Sequence, residues 1–167
     1  MATSQVRYVR NIFGAPGPFL FPGKFQAGST QEIRRGEFLK LSGGNFVPLS
    51  TDESMSAVVA IADCDIRPGQ LAGFYNVLVP RPGDVFQCVL DASGVATPGA
   101  NLYIAGSQTL TLTTGSNAFG DVCDEAACPI QKGPSDVGAD QGTTVATVMR
   151  VNFTIKAANS YYAALQT

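Results

Sequence analysis

Three sets of side chains in this sequence have chemistry beyond packing: Cys64, Cys88, Cys123 and Cys128, the acidic run Asp63-Cys64-Asp65, and Asp121 with Asp124-Glu125. Thiolates at knuckle spacing hold zinc, and clustered carboxylates hold calcium or magnesium. The spacings here support neither. Only Cys123 and Cys128, with four residues between them, approach a zinc knuckle, and the second knuckle is missing. The cysteines read as small buried hydrophobes, with a Cys123–Cys128 disulfide as the alternative in an oxidising medium. An EF-hand needs alternating oxygen ligands, a mid-loop glycine and a closing glutamate, and nothing in that register follows Asp63. The carboxylates read as solvated turns.

The chain contains no histidine, which removes both the commonest general base and the commonest metal ligand. A Ser-His-Asp triad and a histidine-bound zinc are therefore excluded. Gly83-Asp84 and Gly133-Pro134 lack the strand-loop-helix setting of a phosphate cradle. A carboxylate-pair glycosidase, needing only two acids across a cleft, survives this filter. No catalytic residue, cofactor or metal ligand is assigned, and an enzyme is not expected.

The elements that would position such groups are strands. The chain has 167 residues, 18 Gly, 10 Pro and 14% charged side chains, the composition of a single turn-rich β domain. From Glu37 onward short alternating runs are separated by turn residues. Glu37 to Leu41 and Asn45 to Leu49 flank Ser42-Gly43-Gly44 as a hairpin. Ser56 to Ala62, Phe74 to Val79 and Val85 to Leu90 follow, and Phe86, Cys88 and Leu90 share one face. Asn101 to Ala105 and Gln108 to Thr113 form a second hairpin around Gly106-Ser107, then Ala118 to Cys123. Thr143 to Ile155 reads as a long core strand carrying Val145, Met149, Val151, Phe153 and Ile155 on one face. Asp124 to Cys128 is at most one helical turn, and Gln131 to Gly142 is a polar surface loop.

The fold class is thus all-β: a single compact β-barrel or β-sandwich body over residues 31–156, with an extended N-terminal arm, 1–30, and a short C-terminal tail, 157–167. Within the arm, Phe13, Phe19, Phe21 and Phe25 are interspersed with Pro16, Pro18, Pro22 and several glycines, which disfavour a helix or a central strand. Four aromatic rings bury roughly 150–250 Å² each, so the arm is expected to lie on the chain's own body, on a sister subunit or on a scaffold. These four residues, with Tyr161 and Tyr162 of the tail, are the candidate partner-binding residues.

Charge is divided along the chain. Residues 1–40 carry six basic and two acidic side chains, a balance of +4, and residues 41–167 carry five and eleven, a balance of −6. That asymmetry suits docking on an acidic protein surface, including an identical neighbour. The clustered basic stripe of a nucleic-acid binder is missing, so direct nucleic-acid contact is not expected. The longest apolar run, Ala57 to Ala62, is too short to cross a bilayer, and the N-terminus lacks a signal peptide's apolar core. A soluble chain made in a cytosol, without membrane contact, is expected.

Gly36-Glu37-Phe38-Leu39-Lys40-Leu41-Ser42-Gly43-Gly44-Asn45-Phe46-Val47-Pro48, within the run from Arg34 to Ser50, resembles the opening of small capsid cement proteins of tailed bacteriophages. Val58 to Ala62 followed by Ile66 to Gln70, Pro98 to Tyr103, Val151-Asn152-Phe153 and Ser160-Tyr161-Tyr162 are similar in style to the same family. The resemblance implies a virion protein on the capsid surface, made in the host cytoplasm. It would bridge neighbouring major capsid protein subunits, often as a trimer or other self-associated form, without catalytic residues or cofactors. A tail- or neck-associated virion protein and a host-surface-binding β-sandwich module are the alternatives.

Overall fold

The computed structural model describes residues 6–25, 32–49, 59–67, 73–95, 97–106, 109–113, 118–123 and 147–165. Among these residues eleven strands form two sheets. They are β1 Arg7–Asn11, β2 Leu20–Phe25, β3 Phe38–Ser42, β4 Asn45–Pro48, β5 Val59–Ala62, β6 Gly73–Leu78, β7 Asp84–Val95, β8 Asn101–Ile104, β9 Thr109–Thr111, β10 Gly120–Val122 and β11 Thr147–Ile155. A 3₁₀ turn, Ala157–Asn159, and a short helix α1, Tyr161–Leu165, follow. The chain is an all-β fold, with a closed barrel and a second sheet.

The barrel closes as β7-β11-β10-β8-β9, and a parallel pairing of β9 with β7 completes the ring. The length of β7 makes this possible. One edge pairs with β11, while the other pairs with β1 from Asp84 to Gln87 and with β9 at Val89 and Leu90. The second sheet has the order β2-β6-β5-β3-β4. Its β3–β4 hairpin turns on Gly43 and Gly44, both at positive φ (56° and 82°), with Ser42 opposite Asn45. A two-residue loop with two positive φ values matches the twist of the strands it joins, and glycine adopts it without steric cost.

Alternation along the second sheet divides its side chains between two cores. Phe38, Val59, Ile61 and Leu78 join the main core with Phe86, Cys88, Leu90, Leu102, Leu110, Phe119, Val151 and Phe153. Their neighbours Leu39, Ala60, Ala62 and Val77 enter a second core with Phe25, Ile33, Phe46 and Ile66. Both faces are buried, which is why Val59 to Ala62 is an unbroken apolar run. In the main core Phe38 meets Phe119 at 5.0 Å between ring centroids, and Phe153 lies 6.0 Å from Phe86 and 6.3 Å from Phe119.

The expected hairpins and the shared face of Phe86, Cys88 and Leu90 are present. Val151 and Phe153 of β11 are buried in the main core. The side chain of Met149, together with Val145 and the expected turn and loop across 124–142, lies outside the described residues. The arm is built into both sheets. It lies on the chain's own body, one of the three expected placements, but as two edge strands: it contributes β1 to the barrel sheet and β2 to the second sheet, where Leu20 to Phe25 pair with β6 in unbroken register. Proline tolerates this because β2 is an edge strand, where a missing amide on the outer side removes no ladder bond.

Deleting residues 1–25 is therefore expected to remove the cooperative thermal unfolding transition, because β1, β2 and buried Phe25 leave with them. Calorimetry of the truncated chain checks this; a transition close to that of the full chain would mean that both strands are dispensable.

Candidate interaction surface

Three of the four arm phenylalanines face inward. Phe25 is 3% exposed, and its ring lies 6.1 Å from Phe46 and 5.8 Å from Tyr75. Phe21 meets Tyr161 edge-on at 5.6 Å, and Phe19 meets Tyr162 at 5.9 Å. Tyr161 also stacks edge-on against Phe46 at 5.2 Å. Arm and tail thus satisfy each other over the second core of the same chain. Backbone geometry supports the contact: Gly23 lets the Phe46 ring approach so closely that an added Cβ would sit 2.6 Å from it. Asn159 fixes the tail by donating from Nδ2 to the carbonyls of Ala118 and Phe119, and the Ser160 hydroxyl donates to the Pro80 carbonyl.

Of the six expected partner-binding residues, Phe19, Phe21, Phe25, Tyr161 and Tyr162 are engaged within the chain, because β2 brings the arm rings to the tail. Phe13 alone is largely exposed, at 76%. Two large apolar residues not singled out from sequence join it, Phe74 at 69% and Leu20 at 43%. Leu20 pairs with Leu78, and Phe74 pairs with Lys24. By the two-residue period of a strand, both point to the same face as Leu78, on the part of the second sheet that the barrel leaves uncovered. A single exposed phenylalanine carries no sequence signal; only the register reveals this one.

A buried polar knot holds Phe13. Asp84, 1% exposed, accepts from Asn11 Nδ2 (2.9 Å), the Arg81 amide (2.8 Å) and Arg81 Nε (3.2 Å). Arg81 also donates through Nη2 to the Gly17 carbonyl. Asn11 Oδ1 accepts the Phe13 amide at 2.8 Å, and Asn11 Nδ2 donates to the Pro82 carbonyl at 3.0 Å. Burial alone would penalise the Asp84 carboxylate; the charged hydrogen bonds from Arg81 compensate. They also raise the Arg81 guanidinium further above its already high range.

Cys64 and Cys88 are free thiols, and Cys123 is disulfide-bonded; Cys128 lies outside the described residues. Burial pushes the Cys88 thiol far above its ordinary range. Cys64 is raised by burial and by the flanking Asp63 and Asp65. Asp65 caps the Arg35 amide at 2.8 Å, and Asp63 lies 3.6 Å from the Arg35 guanidinium, so this acidic run organises a turn. Among the described residues no three His, Cys, Asp or Glu side chains converge, and no helix is long and apolar enough to cross a membrane. Family models, curated proteins and solved structures give no match to this chain.

Removing the carboxylate of the knot in Asp84→Ala strands a partly buried guanidinium and the Asn11 amide, and is expected to cost about 3–5 kcal/mol. Urea unfolding measures it, and a loss under 1 kcal/mol would mean that the knot is decorative.

Glu37, 8% exposed, has its carboxyl raised above the ordinary 4.5 by burial, partly offset by the Arg34 amide and charge. Because the folded chain holds this proton more tightly than the unfolded chain, the contribution is complete below the unfolded value and is lost as pH rises through the folded one. Glu37→Gln should match the wild type below about pH 4 and exceed it in stability at neutral pH. Chemical denaturation across that range checks the sign.

Proposed function

We propose that the protein is a structural virion component that binds the outer surface of a phage head and cements neighbouring major capsid protein subunits. The observation that carries partner binding is the uncovered sheet face bearing Phe74 and Leu20; among the described residues the other large apolar side chains, Phe13 apart, are at least half-buried. Isolated exposed apolar residues are ordinary, but these two stand at opposite ends of one face of the β2–β6 pair, about 13 Å apart by the strand rise, and so offer a partner two apolar anchors along one edge of the sheet. The assignment to a phage head rests on the resemblance of residues 36–48, which fold as β3, β4 and the segment leading into them. A cement protein must prefer the assembled lattice to the free subunit, because a ligand stabilises a state only through differential affinity. A body seated across two subunits supplies that difference through the second, effectively intramolecular contact.

The test is add-back to heads purified without this chain, with occupancy read by electron microscopy. Wild type is expected at regular positions on the capsid lattice. Leu20→Ser/Phe74→Ser is expected to bind at least about tenfold more weakly with its unfolding temperature little changed, since each buried large side chain contributes about 1.5–3 kcal/mol. Wild type that leaves the head lattice bare would sink the reading, and undiminished binding by the double variant would remove this face from it.

A further inference from the structure

A hollow of about 220 Å³ opens beside the polar knot, walled by Pro80, Pro82, Ile155, Ala157, Tyr162 and Ala163. Arg81 and Ser160 also line it, but both are occupied within the chain: Arg81 on Asp84 and the Gly17 carbonyl, Ser160 on the Pro80 carbonyl. The hollow therefore offers apolar walls with its polar groups already satisfied. A dry apolar cavity of about 150 Å³ is enough to bind benzene, so this one accommodates a phenyl ring.

The exposed ring of Phe13 stands on the same turn. It rests on Gly83, where any added Cβ would collide with it, and the Ile12 amide bonds the Gly83 carbonyl at 2.9 Å. Phe13 is not part of the hollow's own wall. Knob and hole thus lie on either side of Pro82-Gly83 on one molecule, each without a counterpart among the described residues.

We propose that two copies of this chain associate about a two-fold axis, each inserting Phe13 into the Pro80–Pro82–Tyr162 hollow of the other. Adjacency of knob and hole is what an isologous contact requires, because one patch then meets itself and both insertions form together. The knot makes the contact inexpensive to order, since Asn11 and Arg81 already fix the loop that carries the ring. Area sets the strength. Two aromatic rings bury about 300–500 Å² together, well below the roughly 1,200 Å² of a stable interface, so the dimer is weak in solution and forms at high local concentration.

Sedimentation velocity from about 10 µM to 1 mM tests this, alongside thermal unfolding as a control for folding. Wild type should pass from monomer toward dimer at the upper end of that range. Phe13→Ser, which removes the knob, and Ala163→Trp, which fills the hole, should each remain monomeric with unfolding temperatures near wild type. Amide chemical-shift changes on concentration should fall on residues 12–17, 80–83 and 155–163. A wild type monomeric at 1 mM, association retained by either variant, assembly to a trimer, or shifts lying elsewhere would overturn the proposal.

Discussion

The second sheet must serve two cores at once, and the rest of the molecule is arranged around that demand. In a strand, successive side chains point to opposite faces. Phe38, Val59, Ile61 and Leu78 are thereby committed to the barrel side, and Leu39, Ala60, Ala62 and Val77 to the other. A slip of one residue in β3, β5 or β6 would exchange the two sets and misfit both cores. The barrel supplies the cover on one face, with Phe86, Phe119 and Phe153 meeting Phe38 and its neighbours. On the other face the cover comes from the ends of the chain: Phe19, Phe21 and Phe25 with Tyr161, Tyr162 and Leu165.

Much of this is legible in sequence where a local rule has no competitor. Gly43-Gly44 announces a hairpin because consecutive positive φ values exclude most other residues. Phe86, Cys88 and Leu90 announce an inward face by simple alternation. The two edge strands of the arm go unread because proline and glycine are weighed as strand breakers, whereas at an edge strand the outward amide has no ladder partner to lose. The pairing of Phe21 with Tyr161 and of Phe19 with Tyr162 joins opposite ends of the chain, and no periodicity in either segment encodes it. Two aromatic segments that each look unmatched turn out to match one another.

The candidate surface is less legible than the fold. Phe13 is identifiable from its setting among glycines and prolines, but what fixes it is a long-range network through Asn11, Arg81 and Asp84. Phe74 looks like an ordinary strand residue until the register with β2 places it on the uncovered side. The charge division along the sequence also changes meaning in three dimensions. Arg7 donates to Gln87 of β7, and Arg35 lies beside Asp63, so two basic residues of the first forty tie the N-terminal segments to the body.

The pairing of β1 with β7 and of β2 with β6 means that both strands leave the ribosome well before the strands that pair with them. No strand pairs with Leu20 to Phe25 until Gly73 to Leu78 has emerged, and the tyrosines that meet Phe19 and Phe21 follow later still. Such non-local pairing is slow, and waiting hydrophobic strands are the segments at which nascent chains adhere to one another. Pro16, Pro18 and Pro22 interrupt the stacking that an aromatic strand would otherwise offer to its neighbours on a polysome. The punctuation that makes this segment look unfit for a sheet guards it against premature pairing during synthesis, at little expense to the edge it finally occupies.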